Sequence, residues 1–165
     1  MNKTHSAFVA LGSNLGDRLG NLQAAIGLMP PALHVKEQSP IYETSPWGYA
    51  DQPDFLNQVV HAETDLAPLE LLAYIKSIEV TLGRTPTFVY GPRQIDLDIL
   101  FYDDLVLQTQ ELIIPHPHLA SRAFVLCPLA DIAPDLRHPI QGQTVLQLLE
   151  GVDRQGIRML RANAS

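Results

Sequence analysis

One cysteine, Cys127, is all that 165 residues provide, so the chain cannot close an intramolecular disulfide. That scarcity fits a reducing compartment. Its setting, Ala123-Phe124-Val125-Leu126-Cys127-Pro128-Leu129, is apolar, and predicts a buried packing residue rather than a reactive thiol. Positive charge is also scarce. Eleven Lys and Arg stand against eighteen Asp and Glu, a formal charge of −7, which argues against a broad nucleic-acid-binding surface. A local basic pocket remains open to Arg84, Arg93 and Arg122. No run approaches the roughly 20 apolar residues of a membrane span. The opening Met1-Asn2-Lys3-Thr4-His5-Ser6 has no long apolar stretch. Internal repeats and low-complexity linkers are absent too. The expectation is a soluble, cytoplasmic protein, folded as one domain over residues 1–165.

What is present is a run of short elements with clear punctuation. Ala7 to Leu11 reads as a strand ending at Gly12-Ser13-Asn14. A helix from Asp17 follows, with Leu19, Leu22, Ile26 and Met29 on one face and Pro30-Pro31 as its stop. Val35 to Tyr42 is a strand interrupted by Pro40, and Phe55 to Thr64 another, with Phe55, Asn57, Val59 and His61 sharing a face. Ala67-Pro68 opens a helix carrying Leu71, Ile75, Ile78 and Leu82 to Gly83. A strand over residues 95–102 completes the order strand, helix, strand, strand, helix, strand. That order predicts an α+β, ferredoxin-like antiparallel sheet with helices packed on one face. Later segments predict a short strand at Val106-Leu107, helices near 120–132 and 145–149, and an edge strand at 156–160. Two long loops, 43–53 and 84–93, are too rich in Trp, Tyr, Pro and Arg to be mere connectors and read as active-site loops.

The sharpest signal lies in Gln94-Ile95-Asp96-Leu97-Asp98-Ile99-Leu100-Phe101-Tyr102. Alternation places Ile95, Leu97, Ile99 and Phe101 on one face and Asp96, Asp98, Leu100 and Tyr102 on the other. Two carboxylates at i and i+2 of a strand sit roughly 6.5–7 Å apart at Cα. Such a pair needs a cation or a shared proton. Gly91-Pro92-Arg93 fixes an arginine beside them. Paired carboxylates for a hard metal, with an arginine for anionic oxygen, point to phosphoryl-type chemistry and to Mg²⁺.

Other motifs are weaker alone. Arg84, Arg93 and Arg122 can each be surface charges. His116-Pro117-His118 can be a zinc pair, but lacks a visible third ligand; a rigid turn with His116 facing a phosphate suits it better. Gly12-Ser13-Asn14-Leu15-Gly16 is neither a Walker loop nor a dinucleotide fingerprint, and strand-to-helix turn chemistry accounts for it. Glu79 reads as a surface carboxylate.

Taken together, Asp51-Gln52-Pro53 with Phe55-Leu56-Asn57, Gly83-Arg84, Gly91-Pro92-Arg93-Gln94-Ile95-Asp96-Leu97-Asp98-Ile99, Ile114-Pro115-His116-Pro117-His118 and Arg122-Ala123-Phe124 resemble the 6-hydroxymethyl-7,8-dihydropterin pyrophosphokinases of folate biosynthesis. The resemblance spans Gly12 to about Leu149. It implies a monomeric enzyme that moves pyrophosphate from ATP to a reduced pterin, with two Mg²⁺ at Asp96 and Asp98. It implies ATP contacts at Glu79, Arg84, Arg93, Ile99, His116 and Arg122, with Arg84 and Arg93 also catalytic. It implies pterin contacts at Thr44, Pro46, Trp47, Phe55, Asn57, Asp96 and Phe124. The chain departs from the family in having no basic residue between Arg84 and Arg93. Two rivals stand beside this reading, of which only the first would use the paired carboxylates. A metal-dependent nucleotidyltransferase would release pyrophosphate, and a ligand-binding regulatory module would consume no ATP.

Overall fold

The computed structural model describes residues 4–45, 51–83 and 93–160. Three expected site residues, Pro46, Trp47 and Arg84, therefore lie outside the described residues, as do residues 46–50 of the first long loop and 84–92 of the second.

Five antiparallel strands run side by side in the order β5 (Asp96–Tyr102), β1 (His5–Ser13), β4 (Phe55–Thr64), β3 (Tyr42–Thr44) and β8 (Ile157–Met159); β2 (Leu33–Gln38) also pairs with β4. Strands β2 and β3 are two halves of one path broken at Ser39-Pro40. Proline has no N–H to give a ladder. Ser39 covers the gap: its N–H donates to Val59 O at 2.9 Å, and its hydroxyl accepts the Val59 N–H at 2.9 Å. The β8 strand is the one expected at 156–160, and a separate short ribbon joins β6 (Leu107–Gln108) to β7 (Ile113–Ile114).

Local chemistry accounts for the helix limits. Asp17 caps α1 (Arg18–Gly27) by accepting from Gly20 N–H at 3.1 Å. Pro68 starts α2 (Pro68–Thr81), Glu70 accepts the Ala67 N–H at 2.8 Å, and Gly83 at φ +83° ends it. Thr144 and Gln147 exchange hydrogen bonds of 2.9 and 3.1 Å at the start of α4 (Val145–Glu150). In α1 the buried positions are Leu22 and Ala25, followed by Met29, while Leu19 is 39% exposed, so the apolar stripe is rotated from the expected one.

Two expectations are corrected. Helices cover both faces of the sheet, not one. Leu22, Leu71, Ile75 and Ile78 of α1 and α2 bury one face with Val9, Leu11, Leu97 and Ile99. On the opposite face, Leu126 and Leu129 of α3 (Ala123–Ile132) join Leu148 of α4, Phe8 and Val59. Cys127 is buried in that second core, as its setting predicts, and burial raises its thiol pKa. The second correction concerns β5. The pairing jumps from Val9–Ile99 to Phe8–Phe101, which leaves Leu100 as a bulge. A bulge inverts the alternation beyond it. Phe101 thus joins the α3 side and Tyr102 the α1–α2 side, the reverse of the simple period.

An ion-pair cluster ties the far edge together. Glu43 on β3 accepts from Arg18 at 2.6 Å and from Arg158 on β8 at 2.9 Å; Arg158 also reaches Asp54 at 2.9 Å. The Arg18 bond, followed by Arg158, holds the Glu43 carboxyl below its ordinary value of 4.5. A depressed carboxylate contributes stability above its unfolded pKa, and this is lost as pH falls through the folded one. Glu43→Gln is therefore expected to melt lower than the wild type at neutral pH. The two should converge on acidification from about pH 5 to pH 3. Thermal melts across that range check it, and a constant gap would count against the assignment.

Candidate functional site

The α3 face of the sheet contains a cavity of about 230 Å³, enough for a small heteroaromatic ring and far too little for a macromolecule. Its floor is β1, where Ala10 and Gly12 present almost no side chain. A Cβ at Gly12 would stand 3.2 Å from Asn57 Oδ1 and 3.8 Å from the Phe55 ring. Glycine there lets both side chains settle against the strand. This is the part of the glycine-rich turn that sequence reading assigned to structure alone.

Register places the walls. Gly12 lies opposite Asn57 on one side and Asp96 on the other, and Ala10 lies between Val59 and Asp98. Asn57 and Asp96 are thus two strand spacings apart, about 9.5 Å. On the β4 side stand Phe55, Asn57 and Thr44, and Asn57 Nδ2 donates to Thr44 Oγ1 at 2.8 Å, which orients the buried amide. On the β5 side stand Asp96 and Asp98, their side chains 35% and 45% exposed. Arg93 Nε is 3.7 Å from Asp96, and Lys76 Nζ from α2 is 3.9 Å from Asp98. Lys76 carries no sequence signature, because only the packing of α2 against the edge of β5 brings it there.

The third wall is cationic and aromatic. Arg122, the N-cap of α3, lies with its guanidinium carbon 5.6 Å from the centroid of the Phe124 ring. His116 Nδ1 accepts the His118 N–H at 3.1 Å. The ring proton therefore belongs on Nε2, where it can be donated. Burial lowers the His116 pKa, against an opposing pull from Asp98, which favours the neutral imidazole.

Eight expected site residues thus line one cavity: Thr44, Phe55, Asn57, Arg93, Asp96, Asp98, His116 and Arg122, with Phe124 as a ninth. Two do not. Ile99 is buried among the α1–α2 core residues on the opposite face. Glu79 is no surface carboxylate: it is 1% exposed and accepts the Leu97 N–H at 2.7 Å and Lys76 Nζ at 3.2 Å. Lys76 in turn donates to Leu97 O at 2.8 Å. Since β5 is an edge strand, the Glu79–Lys76 pair satisfies its open side between the two aspartates.

The donor set suits a hard cation completed from outside. Among the described residues no group of three or more His, Cys, Asp or Glu gathers to make a protein-only site. Mg²⁺ characteristically takes one or two carboxylates and fills its remaining positions with water and phosphate oxygens. Paired carboxylates facing Arg93, Arg122 and His116 match that habit.

Residues 8–134 match the family model described as 7,8-dihydro-6-hydroxymethylpterin-pyrophosphokinase. The chain belongs to this family. Relatives of the pyrophosphokinase agree. The 2-amino-4-hydroxy-6-hydroxymethyldihydropteridine pyrophosphokinase of Pseudomonas aeruginosa is 44% identical over 155 residues, covering 93% of this chain and 95% of that one. A folic acid synthesis protein of Schizosaccharomyces pombe is 43% identical over 159 residues, 95% of this chain but only 22% of that protein. A Plasmodium falciparum HPPK-DHPS solved with pterin and p-hydroxybenzoate shares the fold at TM-score 0.74 and 20% identity, over 91% of this chain and 42% of that one. The ferredoxin-like expectation therefore stands for a pyrophosphokinase fold. Among the described residues, no helix is long and apolar enough to cross a membrane.

Proposed function

We propose that this chain transfers an intact pyrophosphoryl group from ATP to the hydroxymethyl oxygen of 6-hydroxymethyl-7,8-dihydropterin in folate biosynthesis, with two Mg²⁺. AMP and the pterin diphosphate are the products. It does so as one domain over residues 1–165, as a monomer in the cytoplasm. The observation that carries this reading is the row Asn57–Gly12–Asp96 across the sheet. It sets an amide for a heterocycle's polar edge about 9.5 Å from a carboxylate, with a bare strand between them.

The division of labour follows from the walls. Phe55 and Phe124 offer π-faces to the pterin ring, and Asn57 and Thr44 meet its polar edge. That orientation directs the hydroxymethyl group toward Asp96. Asp96 and Asp98 hold the metal ions, which supply charge neutralisation for the transferring group when bound. Arg93, Arg122 and the Nε2–H of His116 donate to phosphate oxygens. Positioning carries most of the catalysis, since attack must fall on the β-phosphorus in line with departing AMP. Arg84, Pro46 and Trp47 keep the ATP and pterin roles that the family resemblance implies. For Ile99 and Glu79 the nucleoside lies past the open edge of β5. Leu97 directs its N–H and C=O outward there, and the alternation of the strand turns the Ile99 backbone the same way.

A product assay with ATP, Mg²⁺ and the reduced hydroxymethylpterin tests the proposal. AMP should appear in step with pterin diphosphate. ADP would mean a simple kinase, pyrophosphate a nucleotidyltransferase, and either would overturn it.

A further inference from the structure

Asn14 does not line the cavity, yet it joins both sides of it. Its side chain is buried, at 1% exposure for the residue. Nδ2 donates to Gln52 Oε1 at 2.7 Å and to Pro53 O at 3.0 Å. Oδ1 accepts the Arg93 N–H at 2.8 Å, and the Asn14 N–H donates to Arg93 O at 3.0 Å. Both amide hydrogens and the amide oxygen are thereby committed. Gln52 and Pro53 lead directly into β4, with Phe55 and Asn57. Arg93 leads directly into β5, with Asp96. The ladders that join these strands to β1 stop at Ser13–Leu56 and Gly12–Asp96. Asn14 carries the connection past that point on both sides at once. Asn21 Nδ2 steadies the turn, lying 2.9 Å from Leu15 O, 3.1 Å from Ser13 Oγ and 3.0 Å from Gln94 O.

We propose that Asn14 is a positioning residue that couples the two substrate walls, so that nucleotide bound at Arg93 and Asp96 tightens the hold of Phe55 and Asn57 on the pterin. Reciprocity is then required: pterin must tighten the nucleotide by the same factor. The inference rests on the pyrophosphokinase reading above.

Calorimetry on the full chain measures pterin affinity with and without saturating Mg²⁺ and an ATP analogue bridged by carbon between the α- and β-phosphorus. The wild type should bind pterin about fivefold or more tightly with the analogue present. Asn14→Asp keeps an acceptor for Arg93 but loses both donors to Gln52 and Pro53. Its ratio should fall to about one while analogue affinity stays within about threefold. A merely structural role would lower the melting temperature and weaken both substrates without moving the ratio. Should that variant fail to fold, Gln52→Ala removes one arm and should lower the ratio part of the way. A wild-type ratio of one, or a ratio unchanged in the folded variants, overturns the coupling. A wild type that binds neither substrate overturns the pyrophosphokinase reading itself.

Discussion

Alanine at Asp96 or Asp98 is expected to lower turnover by about a thousandfold or more while leaving the fold in place. The catalytic loss is large because each carboxylate would hold Mg²⁺ that neutralises charge on the moving pyrophosphoryl group, and preorganised electrostatic groups carry the largest single effects. The structural loss is small. Both side chains are partly exposed, and the ion pairs of Asp96 with Arg93 at 3.7 Å and of Asp98 with Lys76 at 3.9 Å are long. Pairs this exposed contribute about 1 kcal/mol at most. Removing one also relieves like-charge repulsion across the strand. Steady-state rates beside thermal melts settle it. Turnover near the wild type with Mg²⁺ would end the metal assignment, and an unfolded protein would mean the pair is structural.

Glu79 should show the opposite balance. Alanine there leaves the Leu97 N–H without its acceptor in a buried setting and frees Lys76 from its 3.2 Å contact. The loss of a hydrogen bond to a charged group amounts to about 2–3 kcal/mol, a fall of about 5–10 °C in melting temperature for a chain of this size. Glu79→Gln keeps an acceptor and should recover part of it. Turnover should fall too, because Leu97 lies between Asp96 and Asp98 and its backbone is what Glu79 fixes. Denaturant titration of the two variants beside the KM for ATP separates this brace from the proposed nearness to the nucleoside: a raised KM with stability untouched would leave only the nucleoside role.

The sequence carries the strand and helix order well, because each element is announced locally: Asp17 caps, Pro68 starts, Gly83 stops, Pro40 interrupts. It carries most of the cavity for a related reason. Residues two apart on a strand share a face, so Phe55 with Asn57 and Asp96 with Asp98 are neighbours before any fold is known. What it hides depends on partners distant in the chain. The bulge at Leu100 is decided by how β5 meets β1, and nothing in 95–102 announces it. Glu79 looks like any helix carboxylate until α2 is laid along an unpaired strand edge. Asn14 looks like a turn residue until Gln52 and Arg93 arrive on either side of it. Helices on both faces escaped notice because α3 and α4 follow the βαββαβ unit, whose own order says nothing of what covers its second side.

The strand β8 gives the far edge an unusual dependence. It shields β3, and through Arg158 it grips Glu43 next to Thr44. Residues 157–159 nevertheless lie beyond the stretch, 8–134, that matches the family model. The cavity wall at Thr44 is therefore braced by a part of the chain beyond the stretch that the family model matches. Inhibitor selectivity between relatives can be sought in how that brace tilts Thr44, even where every residue touching the ligand is the same.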